Sequence, residues 1–262
     1  MADILAGIVA RVRERLAIAP PDLPRLREET HAHRARNFLA AIETGPQPAL
    51  IAEFKRRSPS RGALREEAVL GDYCRAYEQA GASAVSILTN PDFGGELVDL
   101  RRARDFVDLP LLRKDFVVDQ RQLLQAAANG ADCVLLIARI LAPAELVEFA
   151  IAARALNLQT LVEIYEESEL EAALAAQPDL LGVNSRDLAT FAVDSSKLER
   201  VAAGLPGGLP LVAESGLTSR PDMLAARAAG ARAVLVGEAL MTAVSPADKI
   251  GELLGAVHAR NI

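Results

Sequence analysis

The chain has 262 residues, of which 51% are hydrophobic and 24% charged, and its formal net charge is −6 at pH 7. This composition is ordinary for a globular protein, and the acidic balance argues against nucleic-acid binding, which usually requires a basic surface. The N-terminus lacks a basic segment followed by a long apolar stretch, and the apolar run from Cys133 to Ala138 stops at Arg139. We therefore expect neither a secretory signal nor a membrane span.

Two charged segments with helical patterns, 3–17 and 22–43, come first in the chain. In the first segment the apolar residues recur at helical spacing, and they are Ile4, Leu5, Ile8, Val9, Val12 and Leu16. A cluster of helix-breaking residues, 44–48, follows the second segment. We expect residues 1–48 to form a helical extension.

From Ala49 onward, short apolar runs alternate with amphipathic stretches. Eight runs are predicted strands, namely Ala49–Glu53, Ala84–Leu88, Leu109–Arg113, Cys133–Ile137, Thr160–Glu163, Leu180–Val183, Leu209–Ala213 and Ala233–Val236. Helical patterns follow them, for example Glu66–Gln79, Gln120–Asn129, Pro143–Leu156 and Ser219–Ala229. Uninterrupted apolar strands that alternate with helices indicate a parallel sheet buried on both faces. Eight such units predict an α/β fold, a single (β/α)8 TIM barrel over 49–262, with the extension 1–48 packed on it as one structural domain.

A repeated boundary supports this architecture. The segments AGASAVSIL, NGADCVLLI and AGARAVLVG each place Gly-Ala directly before a predicted strand. Their glycines, Gly81, Gly130 and Gly230, would each end a helix in a left-handed conformation. A doubly wound open sheet would instead favour G-x-G-x-x-G after the first strand, and the sequence has none there.

The few cysteines and histidines point away from disulfide and metal chemistry. Cys74 and Cys133 each stand among apolar residues, which predicts small buried side chains. His31 and His33 form an HxH without an acidic or cysteine partner nearby, and His258 is close to the C-terminus. We therefore expect a cytoplasmic protein that needs no metal.

Five of the eight predicted strands end in ionisable or amide side chains, which are Glu53 and Lys55, Arg113, Lys114 and Asp115, Glu163, Asn184 and Arg186, and Glu214. The active site of such a barrel lies at the C-terminal ends of its strands, so we expect these groups to meet at one mouth. Strand alternation also places Glu53 and Lys55 on the same face. The lysines suit an anionic substrate and the glutamates suit acid–base chemistry. Glu53 and Glu214 could equally be structural partners that only orient a lysine.

Small residues after the last two strands predict a phosphate site. The sequences Glu214-Ser215-Gly216 and Val236-Gly237-Glu238 supply backbone N–H groups where this fold usually binds phosphate, although simple turns would also explain the glycines. Ser58 and Ser60 in the first loop offer hydroxyl donors. Glu238 has two interpretations, because its carboxylate is harmless if it points outward and repels phosphate if it points inward.

Seven ordered segments resemble the indole-3-glycerol phosphate synthase family of tryptophan biosynthesis. They are IAEFKRRSPSRG, SILTNPDFGG, PLLRKDFVVD, LVEIYEESEL, LGVNSRDL, LVAESGL and VLVGEALM, all at the ends of predicted strands. The resemblance implies a carboxy-lyase that converts 1-(2-carboxyphenylamino)-1-deoxyribulose 5-phosphate into indole-3-glycerol phosphate, CO2 and water. It also implies a phosphorylated small-molecule substrate, no metal or organic cofactor, and no nucleic-acid or membrane partner. A cytoplasmic monomer is expected, with contacts to other tryptophan-pathway enzymes left open.

The resemblance further implies roles for the matching residues. Lys114 would be the general acid for ring closure, Glu163 the base or acid of the dehydration, and Lys55 would hold the departing carboxylate and could share proton transfer. Glu53 and Asn184 would position the reacting groups, and Glu214 would tune the lysines. The implied binding residues are Ser58, Ser215, Gly216 and Gly237 for the phosphate, with Glu238 beside them, Arg186 for the anionic end, and Phe93, Phe116, Leu135 and Leu188 around the aromatic ring.

Two other functions fit the barrel less well. A phosphoribosyl-anthranilate isomerase, or a related phosphosugar isomerase, would share the phosphate site. It typically needs one acid–base pair, which leaves two lysines with three glutamates unexplained. A non-catalytic phosphate-binding barrel would be favoured by loss of Lys114 or Glu163, and both are present.

Overall fold

The computed structural model describes residues 4–31, 34–58, 61–186, 194, 196–205 and 207–255. Ser60, Leu188, His33, His258 and the side chain of His31 lie outside what it describes. Eight parallel strands form a closed barrel, and they are β1 (Ala49–Phe54), β2 (Ala84–Leu88), β3 (Leu111–Lys114), β4 (Cys133–Ile137), β5 (Gln159–Ile164), β6 (Leu180–Asn184), β7 (Leu211–Glu214) and β8 (Ala233–Val236). Each strand pairs with its neighbours in sequence, and β1 also pairs with β8. The predicted TIM barrel is confirmed.

Helices follow the strands and cover the outside of the barrel. The described helices are α1 (Ile4–Ile18), α2 (Leu23–His31), α3 (Phe38–Thr44), α4 (Leu70–Gln79), α5 (Val98–Arg104), α6 (Arg121–Ala128), α7 (Pro143–Ala155), α8 (Leu170–Ala175), α9 (Ser196–Ala203), α10 (Arg220–Ala228), α11 (Glu238–Thr242) and α12 (Pro246–Leu254). A short antiparallel pair, Arg57–Ser58 with Gly62–Ala63, lies in the loop after β1. Within the described residues, no helix is both long and apolar enough to cross a membrane.

Alternation along the strands separates two cores. In β1, Leu50, Ala52 and Phe54 pack between the sheet and the helices, whereas Ala49 and Ile51 fill the barrel interior. Each large side chain buried in this way stabilises the fold by about 1.5–3 kcal/mol. The same alternation makes the last inward position of a strand the one that faces the C-terminal mouth.

The opposite end of the barrel is closed by α3. Phe38 and Ile42 are fully buried in the interior core, and the Asn37 side chain accepts from the backbone N–H of Ala40 to cap the helix. The backbone N–H of Arg36 donates to Asp132 at 2.7 Å. Polar and apolar contacts together therefore fix this segment under the strands.

The helix α1 packs at the other end of the barrel. Ile8, Val12 and Leu16 form a cluster with Phe93 and Phe116, which follow β2 and β3. The extension thus contacts both ends of the barrel, because α3 closes one end and α1 lies beside the loops of the other.

Several predicted boundaries are wrong for identifiable reasons. The helix-favouring segment 22–43 contains two helices, α2 and α3, and Asn37 caps the start of the second. The strands predicted from Leu109 and Leu209 begin two residues later, after Pro110 and Pro210, which have no N–H to donate to a sheet. The helix predicted from Glu66 begins at Leu70.

Other local predictions agree with the structure. Gly81, Gly130 and Gly230 have φ values of +94°, +86° and +101°, as expected for residues that end helices. Cys74 and Cys133 are buried and unpaired. Burial raises the pKa of the Cys74 thiol to about 12, so it is inert near neutral pH.

Candidate active site

A cavity opens at the C-terminal end of the barrel, where the inward side chains of the strands end. Every described residue to which the sequence analysis gave a catalytic or binding role lines this cavity, whereas Arg113, expected at the same mouth, does not. The described residues with these roles are Glu53, Lys55, Ser58, Phe93, Lys114, Phe116, Leu135, Glu163, Asn184, Arg186, Glu214, Ser215, Gly216, Gly237 and Glu238. Leu188 lies outside the described residues.

Lys114, at the end of β3, bridges two buried carboxyl groups. Its Nζ lies 3.1 Å from Oε2 of Glu163 on β5 and 3.4 Å from Oε2 of Glu214 on β7. Burial opposes the charge of this lysine, but the negative charges of Glu163, Glu214 and Glu53 outweigh it and raise the Lys114 pKa above its ordinary value. Lys114 is therefore a protonated ammonium at neutral pH.

Glu163 and Glu214 differ in protonation, although both contact Lys114. Oε1 of each carboxyl group is buried and accepts from no N–H or O–H donor among the described residues. Burial and the adjacent charge of Glu163 raise the pKa of Glu214 well above its usual value. Burial acts the same way on Glu163, but the charge of Lys114 overcomes it and lowers the Glu163 pKa. Glu214 thus carries the proton and Glu163 is the ionised partner.

Glycines make room for these carboxyl groups. A Cβ at Gly182, on the inward face of β6, would overlap Oε1 of Glu214. A Cβ at Gly237, after β8, would overlap Oε1 of Glu53. Because any other residue would displace a carboxyl group, these two glycines shape the acidic side of the cavity.

Glu53 and Lys55 lie on the same face at the end of β1, as alternation predicts. Nζ of Lys55 is 2.6 Å from Oε1 of Glu53. The glutamate is buried, and the lysine side chain keeps 18% of its surface exposed. Glu53 therefore holds Lys55 in place while leaving it open to an anion in the cavity.

The turn after β7 is tied to the end of β6. Ser215 has φ +69°, a left-handed conformation that non-glycine residues seldom adopt, and Gly216 follows with φ +76°. The Ser215 hydroxyl donates to Oδ1 of Asn184 at 2.8 Å, and the backbone N–H of Arg186 donates to the same oxygen at 3.1 Å. The loops after β6 and β7 are thereby fixed to each other.

Glu238 turns its carboxylate toward two arginines. Oε1 of Glu238 is 2.8 Å from Nε of Arg61, and Oε2 is 3.7 Å from a guanidinium nitrogen of Arg186. The side chain lines the cavity, so the inward of the two sequence-based interpretations is the one observed. Its charge is neutralised by the pairing, which bridges the loops after β1, β6 and β8.

The apolar side of the cavity is aromatic. The rings of Phe93 and Phe116 stack with centroids 5.9 Å apart and an interplanar angle of 29°. Leu5 and Ile8 of α1 line the same cavity. Sequence reasoning missed this contribution of α1, because its periodicity shows an apolar face but not what the face covers.

Arg113 does not face the cavity, contrary to the expectation that the whole Arg113-Lys114-Asp115 run would. It precedes the inward Lys114 by one residue, so alternation turns it away from the cavity. Its guanidinium donates to the carbonyl of Gln122 at 2.6 Å and to Asp115 at 2.8 Å. Asp115 lines the cavity, with its carboxylate held by the Thr89 hydroxyl at 2.7 Å.

Tyr165 is a cavity residue that the sequence analysis did not single out. It stands two residues after Glu163, and the same alternation that relates Glu53 to Lys55 places it on the inward face. Asn184 Nδ2 donates to its hydroxyl at 3.2 Å. The two-residue spacing from Glu163 could therefore have identified Tyr165 as a cavity residue.

Comparison with known proteins links this site to one family. A family model described as indole-3-glycerol phosphate synthase matches residues 2–253. The chain is 44% identical over 261 residues to "Indole-3-glycerol phosphate synthase 2" of Streptomyces coelicolor, covering 97% of this chain and 100% of that protein. It is 46% identical over 207 residues to the indole-3-glycerol phosphate synthase of Rhodopirellula baltica, covering 79% of this chain and 80% of that one.

Solved structures agree on the fold. The tryptophan synthase alpha-subunit of Pyrococcus furiosus superposes with a TM-score of 0.62 at 16% sequence identity, covering 81% of this chain and 100% of that chain. At this identity the likeness concerns the barrel alone.

Proposed function

This chain belongs to the indole-3-glycerol phosphate synthase family, and from that premise we propose which side chains carry the reaction. The enzyme is a carboxy-lyase of tryptophan biosynthesis. It closes the five-membered ring of 1-(2-carboxyphenylamino)-1-deoxyribulose 5-phosphate and releases CO2 and water. The observation that carries the assignment of roles is the position of Lys114 between Glu163 and Glu214, at 3.1 Å and 3.4 Å.

Lys114 is the general acid of ring closure. As the aromatic carbon that bears the carboxylate attacks the substrate carbonyl carbon, the carbonyl oxygen gains negative charge and takes a proton from the Lys114 ammonium. Because the surrounding carboxyl groups raise its pKa, Lys114 begins each cycle protonated. A positioned acid of this kind contributes about 10²–10⁴-fold to the rate.

Lys55 holds the carboxylate that is lost. Its ammonium is fixed by Glu53 at 2.6 Å and faces the cavity, so it can pair with the substrate carboxylate while the new carbon–carbon bond forms. Loss of CO2 then returns the bonding electrons to the ring and restores its aromaticity. Asn184 and Glu53 hold the reacting groups of the substrate in position.

Glu163 is the base of the dehydration. It is the ionised member of the carboxyl pair, so it can accept a proton from the methylene carbon beside the ring nitrogen. The Lys55 ammonium, released when CO2 departs, gives its proton to the hydroxyl, which leaves as water. Glu214 stays protonated and prevents a second negative charge from forming beside it. The pair thus presents one ionised and one neutral carboxyl group to the substrate.

The phosphate group binds at the loops after β7 and β8. Ser215, Gly216 and Gly237 line that end of the cavity, with Ser58 nearby. Arg186 supplies a positive charge there. The anthranilate ring then lies against Phe93, Phe116 and Leu135 on the apolar side.

The direct test is turnover of the carboxyphenylamino-deoxyribulose phosphate, followed by the fluorescence of the indole product. The chain contains no tryptophan, so the protein adds little emission of its own at the indole wavelengths. A rise that is lost in Lys114→Ala supports both the reaction and its acid. A folded wild-type protein that gives no rise would contradict the proposal.

We also propose that the enzyme acts as a monomer in the cytoplasm. Its exposed large apolar residues are scattered over different helices, for example Ile18, Val69, Ile151 and Val244. Both cysteines are buried thiols, which suits a reducing compartment. Light scattering at micromolar concentration tests the monomer, and a dimer mass would refute it.

A further inference from the structure

Asp115 is a buried carboxylate at the edge of the cavity, and protein donors surround both of its oxygens. Oδ2 accepts from the Thr89 hydroxyl at 2.7 Å and from the Arg113 guanidinium at 2.8 Å. Oδ1 accepts from Asn90 Nδ2 at 3.0 Å and from the backbone N–H of Phe116 at 2.8 Å. A carboxylate has about four acceptor positions, so these hydrogen bonds occupy them. Asp115 is therefore committed to the protein rather than available to take a substrate proton.

The charge of Asp115 is balanced by the buried Arg113. Burial alone would raise the pKa of Asp115, but the charge of Arg113 and the hydrogen bonds outweigh burial and lower it. Arg113 also donates to the Thr89 hydroxyl at 3.2 Å and to the carbonyl of Gln122 at 2.6 Å. Gln122 Nε2 in turn donates to the carbonyl of Phe116 at 3.1 Å. The ion pair is thus part of a polar network that fixes the loop after β3.

The same network reaches the loop after β2. Oδ1 of Asn90 accepts from the backbone N–H of Asp92 at 3.0 Å, and the Asn90 carbonyl accepts from the backbone N–H of Phe93 at 3.0 Å. Asn90 therefore shapes the turn that carries Phe93, while its NH2 group is bound to Asp115. Asp115 also binds the backbone N–H of Phe116, so one carboxylate connects the two residues whose rings stack.

We propose that Asp115 is a positioning residue, which joins the loops after β2 and β3 and thereby fixes Phe93 and Phe116 as one aromatic wall. Their rings stack with centroids 5.9 Å apart. The inference rests on the part of the proposed function that places the anthranilate ring against this wall. The proposed phosphate loops follow β7 and β8, which do not pair with β2 or β3. Disturbing Asp115 should therefore weaken binding of the ring and spare binding of the phosphate.

Asp115→Asn tests this inference with almost no change in side-chain shape. The amide NH2 group would face either the N–H groups of Asn90 and Phe116 or the guanidinium of Arg113. In either orientation a donor meets another donor, so hydrogen bonds of the network are lost. We expect the two ring-bearing loops to separate or shift as a result.

Asp132→Asn is the matched control. Asp132 is also a buried aspartate, and it accepts from the backbone N–H groups of Arg36 and Leu111, each at 2.7 Å. It is paired with Arg104, just as Asp115 is paired with an arginine. Asp132 directly precedes β4, at the end of the barrel opposite the cavity. A general loss of stability would therefore affect both variants, whereas a loss of the aromatic wall would affect Asp115→Asn alone.

The experiment measures the inhibition constants of two ligands, with initial rates followed by release of CO2. Indole-3-glycerol phosphate carries an aromatic ring, and inorganic phosphate does not. We expect Asp115→Asn to raise the inhibition constant of the ring-bearing ligand about threefold to tenfold, in the range for an aromatic contact, and to leave that of phosphate unchanged. Asp132→Asn should match the wild type for both ligands. Unchanged constants in Asp115→Asn, or equal rises for both ligands, would overturn the inference.

A second variant keeps the inference testable if Asp115→Asn does not fold. Thr89→Val preserves the shape of the side chain and removes one hydrogen bond between Asp115 and the loop after β2. The inhibition constant of indole-3-glycerol phosphate should again rise relative to that of inorganic phosphate, by a smaller factor. An unchanged ratio of the two constants would refute the role of Asp115.

Measurements on the wild type separate this inference from the proposed function. If the folded wild type neither turns over the substrate nor binds indole-3-glycerol phosphate, the proposed function fails and the inference fails with it. If the wild type does both and Asp115→Asn has the same inhibition constants, only the inference about Asp115 is overturned.

Discussion

Glu163 and Glu214 face each other beside Lys114, and their pKa values move in opposite directions from the same ordinary value. Two carboxyl groups in contact cannot both ionise without a large electrostatic cost. The lysine contacts both, but it lies closer to Glu163, at 3.1 Å against 3.4 Å. The proton therefore stays on Glu214.

The difference in protonation between Glu163 and Glu214 predicts unequal effects when each is replaced by glutamine. Glu214→Gln keeps a neutral donor where Glu214 carries its proton, so turnover at pH 7 should fall by less than about tenfold. Glu163→Gln removes the base and should lower turnover by about 10²–10⁴-fold. Single-turnover fluorescence with analysis of quenched samples checks both, and Glu163→Gln should accumulate the ring-closed, decarboxylated intermediate. Equal losses in the two variants would contradict the division of roles.

The raised pKa of Glu214 also predicts a dependence of stability on pH. The folded protein retains a proton that the unfolded chain releases above its ordinary pKa of about 4.3. This contribution to stability is complete below that pH and is lost as pH rises toward the folded pKa. Urea unfolding at several pH values should therefore show Glu214→Gln losing less stability than the wild type as pH increases. Parallel curves would contradict the raised pKa.

Lys114→Ala should abolish most turnover, by about 10²–10⁴-fold, because no other described ammonium lies between these two carboxyl groups. The control is Lys249→Ala, which removes a lysine paired with Glu252 on the outer helix α12. Circular dichroism should show the same helix and strand content in both variants. Wild-type turnover in folded Lys114→Ala would exclude it as the acid.

Glu238→Gln should strengthen inhibition by inorganic phosphate several-fold. The substitution removes the negative charge that Arg61 and Arg186 now neutralise, and it leaves both guanidinium groups for an anion. Glu66→Gln is the control, because Glu66 pairs with Arg57 on the surface at 3.5 Å. The measurement is the inhibition constant of inorganic phosphate in competition with the substrate, compared between the two variants and the wild type. Weaker phosphate inhibition in Glu238→Gln would mean that Glu238 serves mainly to hold the arginines in place for binding.

The contribution of α1 is tested by Ile8→Ala. Ile8 is buried and lines the cavity, so its truncation should raise KM roughly threefold to tenfold, an effect of about 1 kcal/mol in the range for partial loss of an apolar contact. Ile18→Ala on the same helix is the control, since Ile18 is 77% exposed. A KM for Ile8→Ala equal to that of the control would place α1 outside the substrate site.

Much of the site could be predicted because strand alternation is a local property. Spacing along the strands places Glu53 and Lys55 at the end of β1 and Lys114 at the end of β3. The same alternation places Tyr165 two residues after Glu163. The closure of the barrel end by α3 could not be predicted from the sequence. It depends on a hydrogen bond from the backbone N–H of Arg36 to Asp132, which is 96 residues away in sequence. The pairing of Glu238 with Arg61 is likewise a tertiary contact, between the loops after the first and last strands.

The stacked pair Phe93 and Phe116 gives the cavity its aromatic wall without using tryptophan, and all 262 residues are free of that amino acid. Ribosomes can therefore translate this chain when charged tryptophanyl-tRNA is scarce. A cell depleted of the pathway's end product would still be able to produce the catalyst that helps to replenish it.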